Sequence, residues 1–148
     1  MRRTRNIIIP ALLLFAMASC QSDEKKIEKV SLGYLNATAN YNANEAMIYA
    51  TRTTRDTTLP FLRDVMIPLT DTNYIKANTP ATVKIDNISV GEDTAWVRYT
   101  RYTPAETTSN MVRVTKENGQ WLVDVPLALP QPSSEDTLRL VLPVENAE

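Results

Sequence analysis

Two different periods of apolar residues divide the chain between residues 25 and 125. Over residues 25–40 the less polar positions recur at steps of three and four, which predicts one face of a helix. This stripe consists of Ile27, Val30, Tyr34, Leu35 and Thr38. From residue 81 onward apolar and polar residues alternate, which is typical of strands with one buried face. The chain is therefore predicted to place its helices before its strands.

Shorter helices are predicted between these two regions. Asn44 can cap a helix that runs through Ala50, and Leu59-Pro60 can begin another, because proline fits the first turn of a helix. Pro68 is expected to end that helix. Residues 51–58 are rich in threonine, a mediocre helix former, so we expect them to be frayed or looped. A polar loop is expected over residues 69–80.

The alternating region predicts an antiparallel meander. The alternation shifts by one residue at Asn87, which indicates a β-bulge, and Gly91-Glu92-Asp93 indicates a turn. A loop is expected over residues 104–109, and Asn118-Gly119 predicts a tight hairpin. Helices followed by such a meander predict an α+β fold, with N-terminal helices packed on a curved antiparallel sheet. The inward positions are Ala95, Val97, Tyr99 and Arg101, and later Trp121, Val123 and Val125.

The first residues indicate secretion. Three arginines precede the apolar run from residue 7 to 18, which would span about 18 Å as a helix, against about 30 Å for a hydrocarbon core. Met17-Ala18-Ser19-Cys20 resembles the bacterial lipobox. We therefore predict a signal peptide over residues 1–19, a lipid on Cys20 and an acylated tether over residues 20–24. The alternatives are a permanent transmembrane anchor and an ordinary signal peptide with a spare cysteine.

The residues after Cys20 bear on the cellular location. Gln21 stands where the sorting rule of bacterial lipoproteins places Asp for inner-membrane retention, so the rule implies the outer membrane. Ser22-Asp23-Glu24 resembles an acidic surface-export signal, and the alternative is an ordinary solvated tether. We therefore expect a lipid-anchored protein of the bacterial cell envelope.

Composition narrows the chemistry. Residues 1–19 hold three of the 16 basic residues and none of the 17 acidic ones, so the remaining chain carries a net charge of −4. A net negative charge does not indicate binding to nucleic acid, which requires a basic surface. The chain has no histidine, one cysteine and three widely separated glycines, so we expect no metal, no cofactor, no Ser-His or Cys-His nucleophile pair and no phosphate loop. Carboxylates in the strand region fall in turns or on the outer face and are predicted to be solvated: Asp86, Asp93, Glu117 and Asp124.

The order of elements resembles a known group of proteins. The strand Thr94-Ala95-Trp96-Val97 and the hairpin from Lys116 to Asp124 follow the helices. This pattern is similar to small bacterial lipoproteins of unknown function with a cystatin-like cone, the fold typified by nuclear transport factor 2 (NTF2). The resemblance covers residues 25–125 and implies a cone fold. It brings no catalytic residues, since such cones include enzymes, ligand binders and structural modules.

One candidate site follows from the alternation. Arg101 is expected at the mouth of the cone near Tyr99, with Tyr34 and Tyr49 facing the same space from the helices, and its guanidinium could hold a carboxylate or phosphate. The alternative is that the strand ends earlier and leaves Arg101 in water. A non-catalytic module for a protein partner in the envelope is the leading functional hypothesis. Small-ligand binding in the cone is the alternative, and catalysis is a distant third.

Residues 126–148 depart from the pattern of the group. Prolines at 126, 130 and 132 indicate an extended linker, after which apolar residues alternate again. They are Leu138, Leu140, Leu142 and Val144. We expect an additional strand over residues 137–144, which docks on the domain or pairs with a partner's sheet. The alternative is a short helix that begins at Ser134.

Overall fold

The computed structural model describes the backbone of residues 9–127 and the side chains of residues 23–127. The predicted tail strand lies outside the described residues. Helices come first and a four-stranded antiparallel sheet follows, so the predicted α+β class is confirmed. Within residues 9–127, no helix carries an apolar stretch long enough to cross a membrane.

Helix α1 spans Ile9–Ala39 and begins earlier than the apolar stripe indicates. Pro10 occupies its second position, where a missing N–H costs nothing, and no glycine or proline follows until Gly33. Residues 20–24, expected as a tether, lie inside this helix. The predicted start of the helix at residue 25 is therefore wrong, because no glycine or proline interrupts the helical backbone there.

The end of α1 is an αL-type C-cap. Asn42 N–H bonds to the Ala37 carbonyl at 2.8 Å and Tyr41 N–H to the Thr38 carbonyl at 3.0 Å, which is the Schellman pattern. Helix α2 (Ala43–Ala46) follows, and its N-cap is Asn42, whose side chain accepts from Glu45 N–H, rather than the predicted Asn44. A 3₁₀ turn over Met47–Tyr49 completes this part of the chain.

Helix α3 covers residues 54–69 and alternates two kinds of turn. Wide π-turns at Thr54–Thr58 and Leu62–Met66 each precede a short α-helical turn, Leu59–Phe61 and Ile67–Leu69. Each α-helical turn has proline in second place. A proline ring clashes with the carbonyl four residues back, and the wider turn relieves this clash, since Leu59 and Ile67 N–H bond five residues back. Pro68 therefore does not end the helix.

Threonine hydroxyls hold the start of α3 against the end of the sheet, which corrects the predicted loop over residues 51–58. Thr51 donates to Asp124 Oδ1 at 2.9 Å, and Thr58 donates to the Val125 carbonyl at 2.6 Å. Thr54 Oγ1 accepts from Val125 N–H at 2.8 Å. These bonds offset the weak helix propensity of threonine, because three hydroxyls find partners in a distant segment.

The predicted polar loop over residues 69–80 is also wrong in part. Helix α4 spans Thr72–Ala77 inside it. Asp71 is the N-cap, and its carboxylate accepts from Asn73 N–H at 2.7 Å and Tyr74 N–H at 3.3 Å. An aspartate in this position satisfies backbone donors that the first turn leaves open.

The sheet is the predicted meander, with strands in the order β1 (Thr82–Val90), β2 (Thr94–Tyr102), β3 (Thr107–Glu117) and β4 (Gln120–Val123). The register shifts between Ile85 and Asn87, so the predicted bulge is confirmed, with Asp86 as the extra residue. Strand β3 begins inside the expected loop over 104–109, because the pairing with β2 continues to Tyr102 and Thr107. Val125 lies beyond the end of β4.

The turn between β3 and β4 and the core also follow the sequence pattern. Asn118 and Gly119 both have positive φ, 52° and 77°, as the predicted Asn-Gly hairpin requires. On the inner face Ala95, Val114 and Val123 lie side by side in one row and are all fully buried. This row belongs to the apolar core, to which α1 contributes Ile27 and Val30.

One prediction about charged residues is wrong. Asp124 was expected to be solvated, yet only 16% of its side chain is exposed, and it accepts hydrogen bonds from Thr51 and Arg113. Asp86 accepts from the Thr100 hydroxyl at 2.6 Å, and Glu117 accepts from Arg52 N–H at 2.8 Å. These carboxylates do lie on the outer side or in turns, but three of the four bind neighbouring donors.

Candidate functional site

A partly open cavity of about 370 Å³ lies between the end of α1, helix α3 and the inner face of the sheet. Its walls combine apolar side chains with a few polar groups. The lining residues are Leu35, Thr38, Ala39, Tyr41, Leu62, Val83, Tyr99, Arg101, Thr108 and Asn110.

The strand register explains why the cavity has a polar end. Arg101 lies between Val83 on β1 and Thr108 on β3, and Tyr99 pairs with Asn110 in the next row. Because side chains alternate across a strand, these rows share the inner face with the buried apolar row at the other end. The inner face therefore changes from alanine and valine in the fully buried row to arginine, threonine and asparagine in the rows that line the cavity.

Arg101 carries the fixed positive charge of the cavity. Its Nη2 donates to Glu106 Oε1 at 2.6 Å, and 26% of its side chain is exposed. Glu106 is held in turn by the loop between β2 and β3, since its N–H donates to Thr103 Oγ1 at 2.9 Å. A guanidinium has five N–H donors, and among the described residues only this contact uses one of them. The remaining donors can bind a second anionic group.

The phenols of Tyr34, Tyr41 and Tyr99 are neutral at physiological pH. Burial, with a smaller contribution from Tyr99, raises the pKa of Tyr34 to about 12. Burial also raises the pKa of Tyr99, against the opposing effect of the Arg101 charge. Tyr41 has its pKa raised as well, mainly by burial. These hydroxyls can therefore donate and accept hydrogen bonds, but they do not act as phenolate bases.

Tyr41 adopts an unusual backbone conformation at the mouth of the cavity. Its φ is 61°, in the left-handed region, at the C-cap position where glycine is usual. A residue with a Cβ there costs about 1–2 kcal/mol. Strain of this kind clusters at functional sites, and the ring that it places is part of the cavity wall.

Thr108 supplies a buried hydroxyl without a hydrogen-bond partner among the described residues. Thr108 lines the cavity and pairs directly with Arg101 in the strand register. A buried, unsatisfied polar atom costs about 1–3 kcal/mol. This cost is recovered if a bound molecule or a water bonds to Thr108.

The structure brings together two of the four predicted site residues. Tyr99 and Arg101 both line the cavity, as the alternation predicts. Tyr34 is buried in the core close to Tyr99 and does not line the cavity. Tyr49 packs its ring on the backbone of Gly33, where any side chain would overlap it, so it does not face this space.

Three further residues of the site were missed at the level of sequence. Thr108 and Asn110 lie on the same face of β3 as Val112, because they are separated from it by even numbers of residues. They were missed because residues 104–109 were expected to form a loop. Tyr41 lies in the asparagine-rich break after α1, which predicts the end of a helix and nothing about its side chain. Extending the alternation backward from Val112 would have found the first two. Among the described residues no three potential metal ligands come together.

The site therefore defines an α+β domain with a cavity whose polar end holds one arginine. No protein-family model and no curated protein matches the chain. Among solved structures the chain is similar to a Campylobacter jejuni protein provisionally named an NTF2-like transpeptidase, with 16% identity and a TM-score of 0.49, over 66% of this chain and 96% of that one. It is also similar to an NTF2-like protein of unknown function from Shewanella oneidensis MR-1, with 14% identity and a TM-score of 0.47, over 68% of this chain and 93% of that one.

Proposed function

We propose that this domain is a lipid-anchored binding protein of the bacterial envelope, and that its cavity holds a small organic molecule with a carboxylate group. The observation that carries the proposal is Arg101 inside a cavity of about 370 Å³. Ligand sites usually measure about 300–1,000 Å³ and combine apolar walls with a few placed polar groups. The cavity meets both conditions.

The two ends of the cavity suit the two ends of such a molecule. A carboxylate at the polar end can accept from the donors of Arg101 that Glu106 does not use and from the unpartnered Thr108 hydroxyl. The rest of the molecule would contact Leu35, Leu62 and Val83. At about 30 Å³ per water-sized group, the space suits roughly ten to twelve non-hydrogen atoms.

The lining favours binding without catalysis. The cavity wall contains one cation and no carboxylate. Its tyrosines keep their protons at neutral pH, since burial raises the pKa of each from an ordinary value of about 10. Acid–base catalysis needs a group that can exchange a proton near the working pH. The named activity of the Campylobacter jejuni protein is not part of this proposal.

Arg101→Gln tests the ligand proposal, with Arg98→Gln as its matched control on the exposed outer face of the same strand. Calorimetric titration of both variants with a panel of small monocarboxylates is the measurement. We expect a carboxylate that binds the wild type to lose about 10- to 100-fold in affinity in Arg101→Gln, since a hydrogen bond to a charged group contributes about 1.5–3 kcal/mol. Arg98→Gln should bind normally. Equal affinity in Arg101→Gln, or a panel without any binder, would contradict the proposal.

Cys20→Ser tests the anchor. The variant should remain unlipidated and leave the membrane fraction, because at least two acyl chains are needed for stable anchoring. Detergent partitioning and intact mass measure this. A wild-type protein without lipid mass would refute the anchor and leave the ligand proposal untouched.

A protein partner in the envelope is the second candidate. It is favoured by three exposed apolar side chains on the outer side of β2 and β3: Trp96, Tyr102 and Met111. A photo-reactive residue at position 102 should form one discrete adduct in intact cells, and Trp96→Ala should abolish it. An adduct that persists in that variant would argue against this surface.

A further inference from the structure

The two outer edges of the sheet differ in how their backbone N–H and C=O groups are paired. At the start of β1, Val83 N–H donates to Asn36 Oδ1 at 3.1 Å and Ala81 N–H to Asn40 Oδ1 at 2.9 Å, so helix α1 closes that edge. On the other side, β4 pairs with residues 114–117 of β3, and Asp124 N–H donates to the Arg113 carbonyl. Residues 107–112 of β3 have no strand partner on this side among residues 9–127.

The direction of the open backbone groups follows from the register. The Arg113 carbonyl faces β4, and the β2–β3 register is regular from Thr94 to Tyr102. Backbone groups alternate along an antiparallel strand, so Met111, Ser109 and Thr107 also direct their N–H and C=O groups away from β2. Unpaired groups in such a row favour the addition of another strand.

This edge adjoins the cavity. Thr108 and Asn110 line it, and β3 is the last strand at that level because β4 has already ended. Leu62 of α3 also lines the cavity. A strand added along residues 107–112 would therefore extend the sheet next to the part of β3 that lines the cavity.

The chain itself leaves β4 beside this edge. Val125 is held to α3, since its N–H donates to Thr54 and its carbonyl accepts from Thr58. Val125 and Pro126 also line a shallow groove with Met111. Residues 126–136 can span about 35 Å when extended, which is enough to bring the following segment back along β3.

We propose that residues 137–144 pair with residues 107–112 of β3 as a fifth strand. Prolines 126, 130 and 132 cannot donate to a ladder, so the pairing segment must come after them. Pro143, near the end of this segment, fits an outermost strand when its missing N–H faces away from β3. Residues 137–144 then offer an apolar residue at every second position, and burial of that set fixes the register. The proposal concerns backbone pairing and does not depend on any ligand.

Hydrogen exchange on the full chain in detergent, compared with a chain that ends at residue 132, tests the pairing. We expect the amides of Ser109 and Met111 to exchange about tenfold or more slowly only in the full chain. Asn110 and Val112, whose amides face β2, should not change and report whether the shorter chain folds. Equal exchange rates of Ser109 and Met111 in the two chains, whether fast or slow, would overturn the proposal. Protection that increases with protein concentration would also overturn it, because it would indicate that a second copy of the chain pairs with this edge.

Met111→Pro and Met111→Ala provide a test that keeps the whole tail. Proline removes the N–H that faces the open edge, whereas alanine keeps it and removes the same exposed side chain. We expect amides of residues 138–142 to lose protection in the proline variant alone. Protection that survives Met111→Pro would show that the tail docks elsewhere.

Discussion

Asn40 binds Ala81 through both of the backbone polar groups of that residue. Its side-chain nitrogen donates to the Ala81 carbonyl at 2.9 Å, and its side-chain oxygen accepts from Ala81 N–H at 2.9 Å. The contact joins the end of α1 to the residue before β1. The Asn40 side chain therefore makes two hydrogen bonds to the Ala81 backbone, as a residue of a neighbouring strand would. These bonds also fix the end of α1, next to Tyr41, against the sheet.

Asn40→Ala should lower the free energy of unfolding by about 1.5–4.5 kcal/mol, because three hydrogen bonds are lost at about 0.5–1.5 kcal/mol each: the two to Ala81 and one to the Asn36 carbonyl. Asn44→Ala is the control, since Asn44 is exposed and has one long contact, at 3.3 Å, with Arg63. Urea melts of the two variants measure the difference. Similar stabilities would mean that the paired bonds contribute little.

Trp121→Ala should lower the free energy of unfolding by about 3–5 kcal/mol, as aromatic deletions in cores do. The side chain is 5% exposed and belongs to the core cluster that includes α1. Trp96→Ala is the matched control on the outer face, where the indole is 48% exposed, and it should cost about 1 kcal/mol or less. A reversed order of the two losses in denaturant melts would indicate inverted sheet faces.

Tyr34 should make stability sensitive to alkaline pH. Burial raises its pKa to about 12 in the folded state, against about 10 in the unfolded chain. The stabilisation is fully present below pH 10 and is lost as the pH rises toward 12, because the unfolded state releases the proton first. About 2–3 kcal/mol should disappear over that range.

Tyr34→Phe supplies the control for this pH dependence. The variant removes the ionisable hydroxyl and keeps the ring, so its unfolding free energy should fall less steeply between pH 10 and pH 12. Denaturant melts at several alkaline pH values provide the measurement. Parallel slopes for the variant and the wild type would assign the alkaline loss to other groups.

Tyr41→Gly should be more stable than Tyr41→Ala by about 1 kcal/mol. Both substitutions remove the ring, but only glycine adopts the positive φ of this C-cap without a Cβ penalty. Thermal melts of the pair isolate the backbone cost from the loss of packing. If alanine were equally stable, the left-handed conformation would not be strained.

Local patterns determined much of the sheet. The alternation of residues 95–101 placed Tyr99 and Arg101 on the same face, and the shift near Asn87 predicted the bulge at Asp86. Asn118-Gly119 predicted the hairpin. Each of these features depends on the two-residue period of a strand or on the φ values that a turn requires, so neighbouring residues are enough to reveal it.

The sequence by itself therefore determined the α+β class, the order of the elements and the inner face of the sheet. Only the tertiary structure decided that the threonine-rich stretch is helical, because Thr51, Thr54 and Thr58 bond to Asp124 and Val125, about 70 positions away. It also decided the composition of the cavity. The cavity forms where the end of α1, the middle of α3 and two rows of the sheet meet. A local pattern in the sequence cannot predict this meeting, because it carries no information about distances between segments that are far apart in the chain.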